Sequence, residues 1–140
     1  MLSVSGARRP TADDKFAYHF ESVGYSIRHN LEALAERDCR ARRILAVGGG
    51  TLDPAWMQMV SDIAGIEQAI PGGQIGASYG DAFLAGVGVG LFRSLAGIRR
   101  WIRPGRIVRP EARRRALYDA SYRIYRELYL RNAGLMRELP

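Results

Sequence analysis

The stretch of this chain best suited to binding a ligand is residues 44–54, ILAVGGGTLDP, in which an apolar segment leads through three glycines to the start of a helix. Residues 44–47 predict a buried strand, and the glycines at 48–50 permit positive φ and close approach of a ligand to the main chain. Asp53 followed by Pro54 predicts a helix N-terminus, whose unpaired amides attract anions such as phosphate. The pattern is therefore compatible with a nucleotide-binding turn, but turns that join a strand to a helix without any ligand are the commoner case.

Helices and two short strands are predicted to position this turn. Apolar residues at every third or fourth position indicate a first helix over about residues 11–38, with the buried stripe Phe16, Phe20, Val23, Ile27, Leu31 and Leu34. The other predicted elements are a strand at 43–47, a helix at 54–64 ended by Gly65, a strand at 66–70, a glycine-rich helix at 77–95, an irregular or extended arm at 97–110 and a helix at 111–138. Residues 1–10 are predicted to be a disordered N-terminus, which leaves 11–140 as the folded part.

This order of elements predicts the α/β class, helix-rich with few strands. The last helix carries Tyr118, Tyr122, Tyr125 and Tyr129 on one face, a spacing typical of core or interface packing. Two strands are too few for a parallel sheet, which normally has more members and helices on both faces. We therefore expect strands from outside this chain to complete the sheet.

Four stretches of the chain, taken in order, resemble the C-terminal part of the FGGY carbohydrate kinases, especially the xylulokinase-like pentulose kinases. These stretches are residues 26–34, 46–65, 76–86 and 122–129. The most specific is the string Gly-Gly-Gly-x-x-Asp-Pro-x-Trp-x-Gln within the second. The resemblance covers about residues 12–139 and implies a partial actin-like (ribonuclease H-fold) ATPase domain. Residues 11–140 are then the C-terminal portion of the second domain of such a kinase.

The resemblance also implies that ATP is the nucleotide bound at the turn. Gly48 and Gly49 are expected beside its phosphates and ribose, with Gly49 the closest main-chain contact and Gly50 in the same turn. Asp53 stands where the family often has an asparagine that touches the adenosine end of ATP. An aspartate accepts a hydrogen bond from a ribose hydroxyl but cannot donate one, so a cap alone and a cap that also binds ligand both remain open. Mg²⁺ is expected to be carried with ATP rather than held in a protein cage.

No catalytic residue is expected in this chain. The family's sugar-binding residues, the phosphate-binding turn of its first domain and its general-base aspartate belong upstream, and phosphoryl transfer depends on all of them being positioned together. We therefore expect a C-terminal fragment of an ATP-dependent sugar kinase, inactive alone and prone to self-association, that meets a sugar only with the missing N-terminal half. A truncated product, half of a split enzyme and a decayed copy all remain open.

The alternative function is a basic nucleic-acid-binding or protein-interaction module. The net charge is +7, and nine arginines lie between Arg93 and Arg115 with Trp101 among them. A solvated surface on an arginine-rich protein explains the same residues, and no recognition-helix or RNA-binding motif accompanies them. We therefore expect no nucleic-acid partner.

Metal and membrane sites are not predicted. His19 and His29 have no further ligand at metal-binding spacing, and the longest apolar run, residues 82–92, is too short to cross a bilayer. Cys39 is the only cysteine, which favours a reducing compartment, and the cytoplasm is the expected location. No role is assigned to Asp81, which is predicted to be a polar position on a mostly buried helix.

Overall fold

A computed structural model describes the chain at residues 12–42, 44–73 and 76–138. The predicted disorder of residues 1–10 lies outside these ranges. The helices and strands, with η for short 3₁₀ helices, are α1 (Ala12–Ala35), β1 (Ile44–Leu45), η1 (Gly49–Leu52), α2 (Pro54–Ala64), β2 (Gln68–Gly72), α3 (Ala77–Gly88), η2 (Leu95–Arg100), β3 (Arg103–Val108), η3 (Ala112–Arg114) and α4 (Arg115–Met136).

The strands form one mixed sheet in the order β1-β2-β3. Strand β1 runs parallel to β2, with Leu45 opposite Ala69. Strand β3 is antiparallel to β2, and the pairing is irregular between Ile70 and Gly72. Helix α2 is the connection between the parallel pair, as a parallel crossover requires.

The prediction of two strands was wrong, because β3 lies in the segment expected to be an irregular or extended arm. Its sequence, RPGRIV, begins with Arg-Pro-Gly, which disfavours a strand, and only its last two residues are β-branched. Only Val108 of this strand is buried, so pairing with β2, rather than local preference, makes the segment extended. Strand β2 also begins two residues later than predicted and continues through Pro71 and Gly72 instead of stopping there.

Helix α2 matches its predicted bounds, because Asp53 and Pro54 begin it and Gly65 ends it.

Helix α3 ends at Gly88 rather than at residue 95. Gly90 follows at φ 78°, and the amides of Leu91 and Phe92 both donate to the Gly86 carbonyl. A Cβ at Gly86 would lie 2.6 Å from Cδ2 of Phe92, so this glycine lets the chain fold back onto the helix.

Two apolar clusters form the core. The first joins α1, α2 and α4 through Tyr25, Ile63, Tyr118 and Tyr122, which confirms that the tyrosine face of the last helix is used for packing. The second joins α2 to the sheet through Met57, Ile70 and Val108. Helix α2 belongs to both clusters, so the turn that precedes it is attached to the most buried element described here. No helix among the described residues is long and apolar enough to span a membrane.

Candidate functional site

Strand β1 leads into the glycine turn that the sequence predicted. Gly48 has φ 92° and ψ −179°, a main-chain conformation that is essentially restricted to glycine. Its carbonyl accepts hydrogen bonds from the Thr51 amide at 3.1 Å and the Thr51 hydroxyl at 2.7 Å. These bonds close the turn, and a side chain at Gly48 would strain it.

The other two glycines of the turn have different surroundings. Neither Gly49 nor Gly50 has a positive φ, so the expectation of that freedom at all three positions holds only for Gly48. A Cβ built at Gly49 meets no atom within 4 Å, whereas one at Gly50 lies 3.2 Å from Nε1 of Trp56. Gly49, like Gly48, is therefore an open position of the turn, and Gly50 packs against α2.

Asp53 is the N-cap of α2. Its Oδ1 accepts hydrogen bonds from the amides of Ala55 at 2.9 Å and Trp56 at 3.2 Å, with Pro54 at the first helical position. The carboxylate therefore occupies the amides that the sequence suggested a phosphate would reach. An anion at this turn has to bind beside the helix N-terminus rather than on it.

A cavity of about 460 Å³ opens beside the turn. Its walls are η1, the last residues of β2 and the start of the β2–β3 pairing; the lining residues are Thr51, Leu52, Ile70, Pro71, Gly72, Gly73, Gly105 and Arg106. The carboxyl ends of the parallel strands β1 and β2 both point to this edge of the sheet, the place where ligands bind in α/β proteins. A larger cavity, of about 560 Å³, is lined by Phe83, Phe92 and Trp101 among others, but no parallel strand ends there.

The structure thus brings the predicted residues Gly48, Gly49, Gly50 and Asp53 together in one turn beside a cavity. It does not bring Asp81 there, because Asp81 is exposed on α3. Helix α3 itself buries only Phe83 and Gly86, so the prediction of a mostly buried helix was wrong.

Sequence reasoning missed the second wall of the cavity. Gly72 ends β2, Gly73 follows it and Arg106 lies on β3. Arg106 donates from Nη2 to the Thr51 carbonyl at 2.9 Å. The Pro71-Gly72-Gly73 string was interpreted only as the end of a strand. Its position after a strand parallel to β1 could have placed it at the same edge as Gly48. Nothing local in the sequence relates Arg106 to Thr51.

Several arginines of the basic segment pair with carboxylates of the chain itself. Arg109 bonds Glu67 at 2.9 Å, and Arg115 bonds Asp119 at 3.1 Å. Arg114 contacts both Asp62 at 3.1 Å and Glu111 at 3.3 Å. These pairs consume positive charge that the nucleic-acid alternative needs, so the structure gives that alternative no support.

A buried carboxylate fixes α2 to the junction between β3 and α4. The Asp62 side chain is fully buried. Its Oδ1 accepts from Gln58 Nε2 at 2.9 Å and from the Glu111 amide at 2.7 Å, and its Oδ2 accepts from Arg114 at 3.1 Å. Asp62 therefore connects the helix that follows the glycine turn to the segment just after the strand that carries Arg106.

A buried guanidinium connects α1 to α2 and α4. Arg28 donates to Asp119 at 2.7 Å, to Glu32 at 3.0 Å and to the Ile63 carbonyl at 3.3 Å. It also stacks 4.1 Å from the ring centre of Tyr122, whose hydroxyl donates to Glu32 at 2.7 Å. Arg28 and Glu32 both lie in the 26–34 stretch noted above, so that stretch serves packing.

These contacts change the pKa of the acidic groups around Arg28. The hydrogen bond from Arg28 lowers the pKa of the Asp119 carboxyl. Burial alone would raise the pKa of Glu32, but the hydrogen bonds from Tyr122 and Arg28 outweigh it and lower that pKa. Burial, and then the bond to Glu32, raise the pKa of the Tyr122 hydroxyl well above its ordinary value. Both carboxylates are therefore held in their charged form.

Residues 3–89 match the family described as the C-terminal domain of the FGGY family of carbohydrate kinases. The chain belongs to this family. The match includes the glycine turn, α2, β2 and α3, and hence most of the cavity just described. The FGGY chain also shares its fold with the xylulose kinase from Rhodospirillum rubrum, with a TM-score of 0.73 over 97% of this chain and 27% of that one, at 24% identity. Its fold is accordingly part of an actin-like ATPase domain, helix-rich with a small sheet.

Two curated FGGY relatives show how much of such a kinase is present. The L-xylulose/3-keto-L-gulonate kinase of Escherichia coli (strain K12) is 28% identical over 110 residues, which are 78% of this chain and 22% of that protein. The autoinducer-2 kinase of Yersinia pestis (strain Pestoides F) is 31% identical over 109 residues, 76% of this chain and 21% of that protein. The FGGY chain spans about a fifth of the length of these relatives.

Proposed function

We propose that this chain is the nucleotide-binding, C-terminal part of an ATP-dependent carbohydrate kinase of the pentulose type, which phosphorylates a sugar hydroxyl. The observation that carries the proposal is the cavity at the carboxyl ends of β1 and β2, with the open Gly49 position in the turn that forms its rim. The cavity volume, about 460 Å³, lies within the range of small-molecule sites.

In this proposal ATP lies against the glycine turn. Main chain at Gly48 and Gly49 contacts its phosphates and ribose, because no side chain obstructs the approach at Gly49. Gly50 keeps the turn close to Trp56. Asp53 holds α2 in place and faces the ribose rather than the phosphates, since its negative charge would repel a triphosphate.

In this proposal Mg²⁺ is carried to the site with ATP. Among the described residues no group of three His, Cys, Asp or Glu side chains could hold a metal ion. Bound through the phosphates, Mg²⁺ would neutralise charge that develops during phosphoryl transfer. The chain's own part is to bind and orient the nucleotide.

The acceptor sugar and the general base are proposed to come from polypeptide outside this chain. The two edges of the sheet support this division. The exposed edge β3 carries Arg103, Pro104 and Arg106, which discourage pairing with another strand, whereas β1 is uncharged and Leu45 is 46% exposed. We propose that the remainder of the kinase pairs with β1, and that the isolated chain instead self-associates through this edge in the cytoplasm.

Valine at Gly49 tests the nucleotide assignment. The substitution should leave the fold intact, because a Cβ there has open space, but it fills the path of the ligand. We expect the Kd for Mg-ATP to rise at least tenfold, which is a loss of about 1.4 kcal/mol of binding free energy. A titration of the chain monitored by NMR measures this Kd. Gly134→Val is the matched control, since Gly134 in α4 is equally open and far from the cavity. An unchanged Kd for Gly49→Val would show that the nucleotide does not approach this turn.

Two substitutions at Asp53 separate its capping role from a ligand role. Asp53→Asn should keep the cap and bind ATP equally well or better, because it removes a negative charge and restores a donor. Asp53→Ala should lower the free energy of unfolding by about 0.5–2 kcal/mol through loss of the cap. Thermal unfolding and ATP titration of both variants provide the measurement, with Asp81→Ala as an exposed control. Equal melting temperatures for the wild type and Asp53→Ala would exclude the capping role.

A further inference from the structure

We propose that Arg106 binds the phosphate chain of the nucleotide in the cavity beside the glycine turn, and so selects nucleotides over uncharged nucleosides. The inference rests on the proposed function and adds to it a specific residue, one that no sequence pattern connects to the turn. It depends on three features of Arg106: its anchoring, its charge and the cavity that it lines.

The Arg106 side chain is anchored by main chain rather than by an acid. Arg106 lies on β3 opposite Ile70, and its Nη2 donates to the Thr51 carbonyl at 2.9 Å. Thr51 belongs to η1, the short helix that follows Gly48, so the bond holds the guanidinium against this part of the turn. A guanidinium has five N–H donors. Among the described residues, only the Thr51 carbonyl accepts a hydrogen bond from the Arg106 guanidinium.

The charge of Arg106 is not neutralised within the described part of the chain. Arg109, Arg113, Arg114 and Arg115 nearby all contact carboxylates, but no ion pair involves Arg106 among the described residues. The nearest carboxylate along the turn, Asp53, directs Oδ1 to the amides of α2. The cavity therefore carries an available positive charge with fork geometry, which matches two phosphate oxygens at once.

The opposite wall of the cavity is main chain that admits no bulk. A Cβ at Gly72 would lie 2.6 Å from the Pro104 carbonyl, so β2 and β3 approach each other more closely than side chains allow. Gly73 follows with φ 86° and open space. Gly72, Gly73 and Gly105 line the cavity together with Arg106, and their missing side chains leave room for a phosphate chain to reach Arg106.

A purely structural role for Arg106, as a link between η1 and β3, makes a different prediction. If Arg106 only holds the turn in place, its loss weakens every ligand of the cavity to the same extent. If Arg106 binds phosphate, the loss grows with the charge of the ligand. Comparing ATP, ADP and adenosine therefore separates the two roles.

The test is a titration of the 140-residue chain with ATP, ADP and adenosine, monitored by NMR. It is carried out on the wild type, Arg106→Gln, Arg106→Lys and Arg103→Gln. Arg103 is the matched control, an exposed arginine on the same strand that does not line this cavity. We expect Arg106→Gln to weaken ATP binding about tenfold and adenosine binding less than twofold. Its loss of ADP binding should lie between these two values, and Arg106→Lys should weaken ATP binding less than Arg106→Gln does. Arg103→Gln should bind like the wild type.

Equal losses for ATP and adenosine, or an unchanged affinity for ATP, would overturn the role of Arg106 while the proposed function stands. A folded wild-type chain that binds none of the three ligands would overturn both proposals. Because Arg106 is exposed, its variants should unfold at the wild-type temperature, and the melting temperature of each is recorded with its titration.

Discussion

Replacing Arg28 by methionine should lower the free energy of unfolding by about 3 kcal/mol. The substitution keeps most of the side-chain volume but removes the charge from a site where the side chain is only 11% exposed. The Ile63 carbonyl, Glu32 and Asp119 then lose their shared donor, and breaking a buried ion pair costs about 3–5 kcal/mol. We take the low end because both carboxylates are more than one-third exposed and water can partly replace the arginine. Chemical denaturation near pH 7 measures the change.

The same variant should be less sensitive to acid than the wild type. The pKa values of Glu32 and Asp119 are lowered in the folded state, so the stability they contribute is present above their unfolded pKa values of about 4. It is lost as the pH falls through the lower, folded values. The wild type should therefore lose stability as the pH falls below the unfolded pKa values of about 4, and Arg28→Met should lose less. Arg123→Met, an exposed change on α4, is the control, and parallel pH curves for all three proteins would contradict the role of Arg28.

Replacing Asp62 by alanine should lower the free energy of unfolding by a similar amount, about 2–3 kcal/mol. The change leaves the partly buried Glu111 amide and one of the two N–H donors of Gln58 without an acceptor, while Gln58 still donates to the Arg109 carbonyl. An unsatisfied group of this kind costs about 1–3 kcal/mol. Asp62→Asn should cost less, because its oxygen still accepts from Gln58 and the Glu111 amide. The loss is not zero, because its NH₂ group would face the Arg114 donor. Thermal unfolding of both variants, with Asp81→Asn as an exposed control, measures this order.

The Asp62 variants should also affect the cavity. Asp62 joins α2 to the chain immediately after β3, so its loss frees the strand that carries Arg106. We expect Asp62→Ala, studied below its melting temperature, to increase the amide exchange rate over that of the wild type more at β3 than at α1. Uniformly faster exchange would mean that Asp62 supports the whole fold and not this junction.

How much of the fold follows from sequence depends on where its causes lie. Helix α2 was predicted with its observed bounds because Asp53, Pro54 and Gly65 act on the residues beside them. Helix α3 was predicted too long, since its end is set by packing of Phe92 and Trp101 on Phe83, which a row of glycines does not indicate. Strand β3 was missed because pairing with β2, 36 residues away between Ile70 and Arg106, makes it a strand.

The candidate site divides in the same way. Gly48, Gly49, Gly50 and Asp53 could be found because strand, glycines and cap are adjacent in the sequence. Arg106 could not, because it reaches Thr51 only through the β2–β3 pairing, 55 residues along the chain. That Gly50 packs against Trp56 while Gly49 is open likewise depends on the turn geometry and not on residue type.

Nucleotide binding at the glycine turn is tested most directly by the amide NMR spectrum of the ¹⁵N-labelled chain during titration with Mg-ATP. This measurement detects weak binding and locates it. We predict saturable shifts at Gly48, Gly49, Thr51, Gly73 and Arg106, with none along the α1–α4 interface around Tyr122. An unchanged spectrum at millimolar Mg-ATP, or shifts confined to surfaces away from the turn, would contradict the assignment of this chain as the nucleotide-binding part of a carbohydrate kinase.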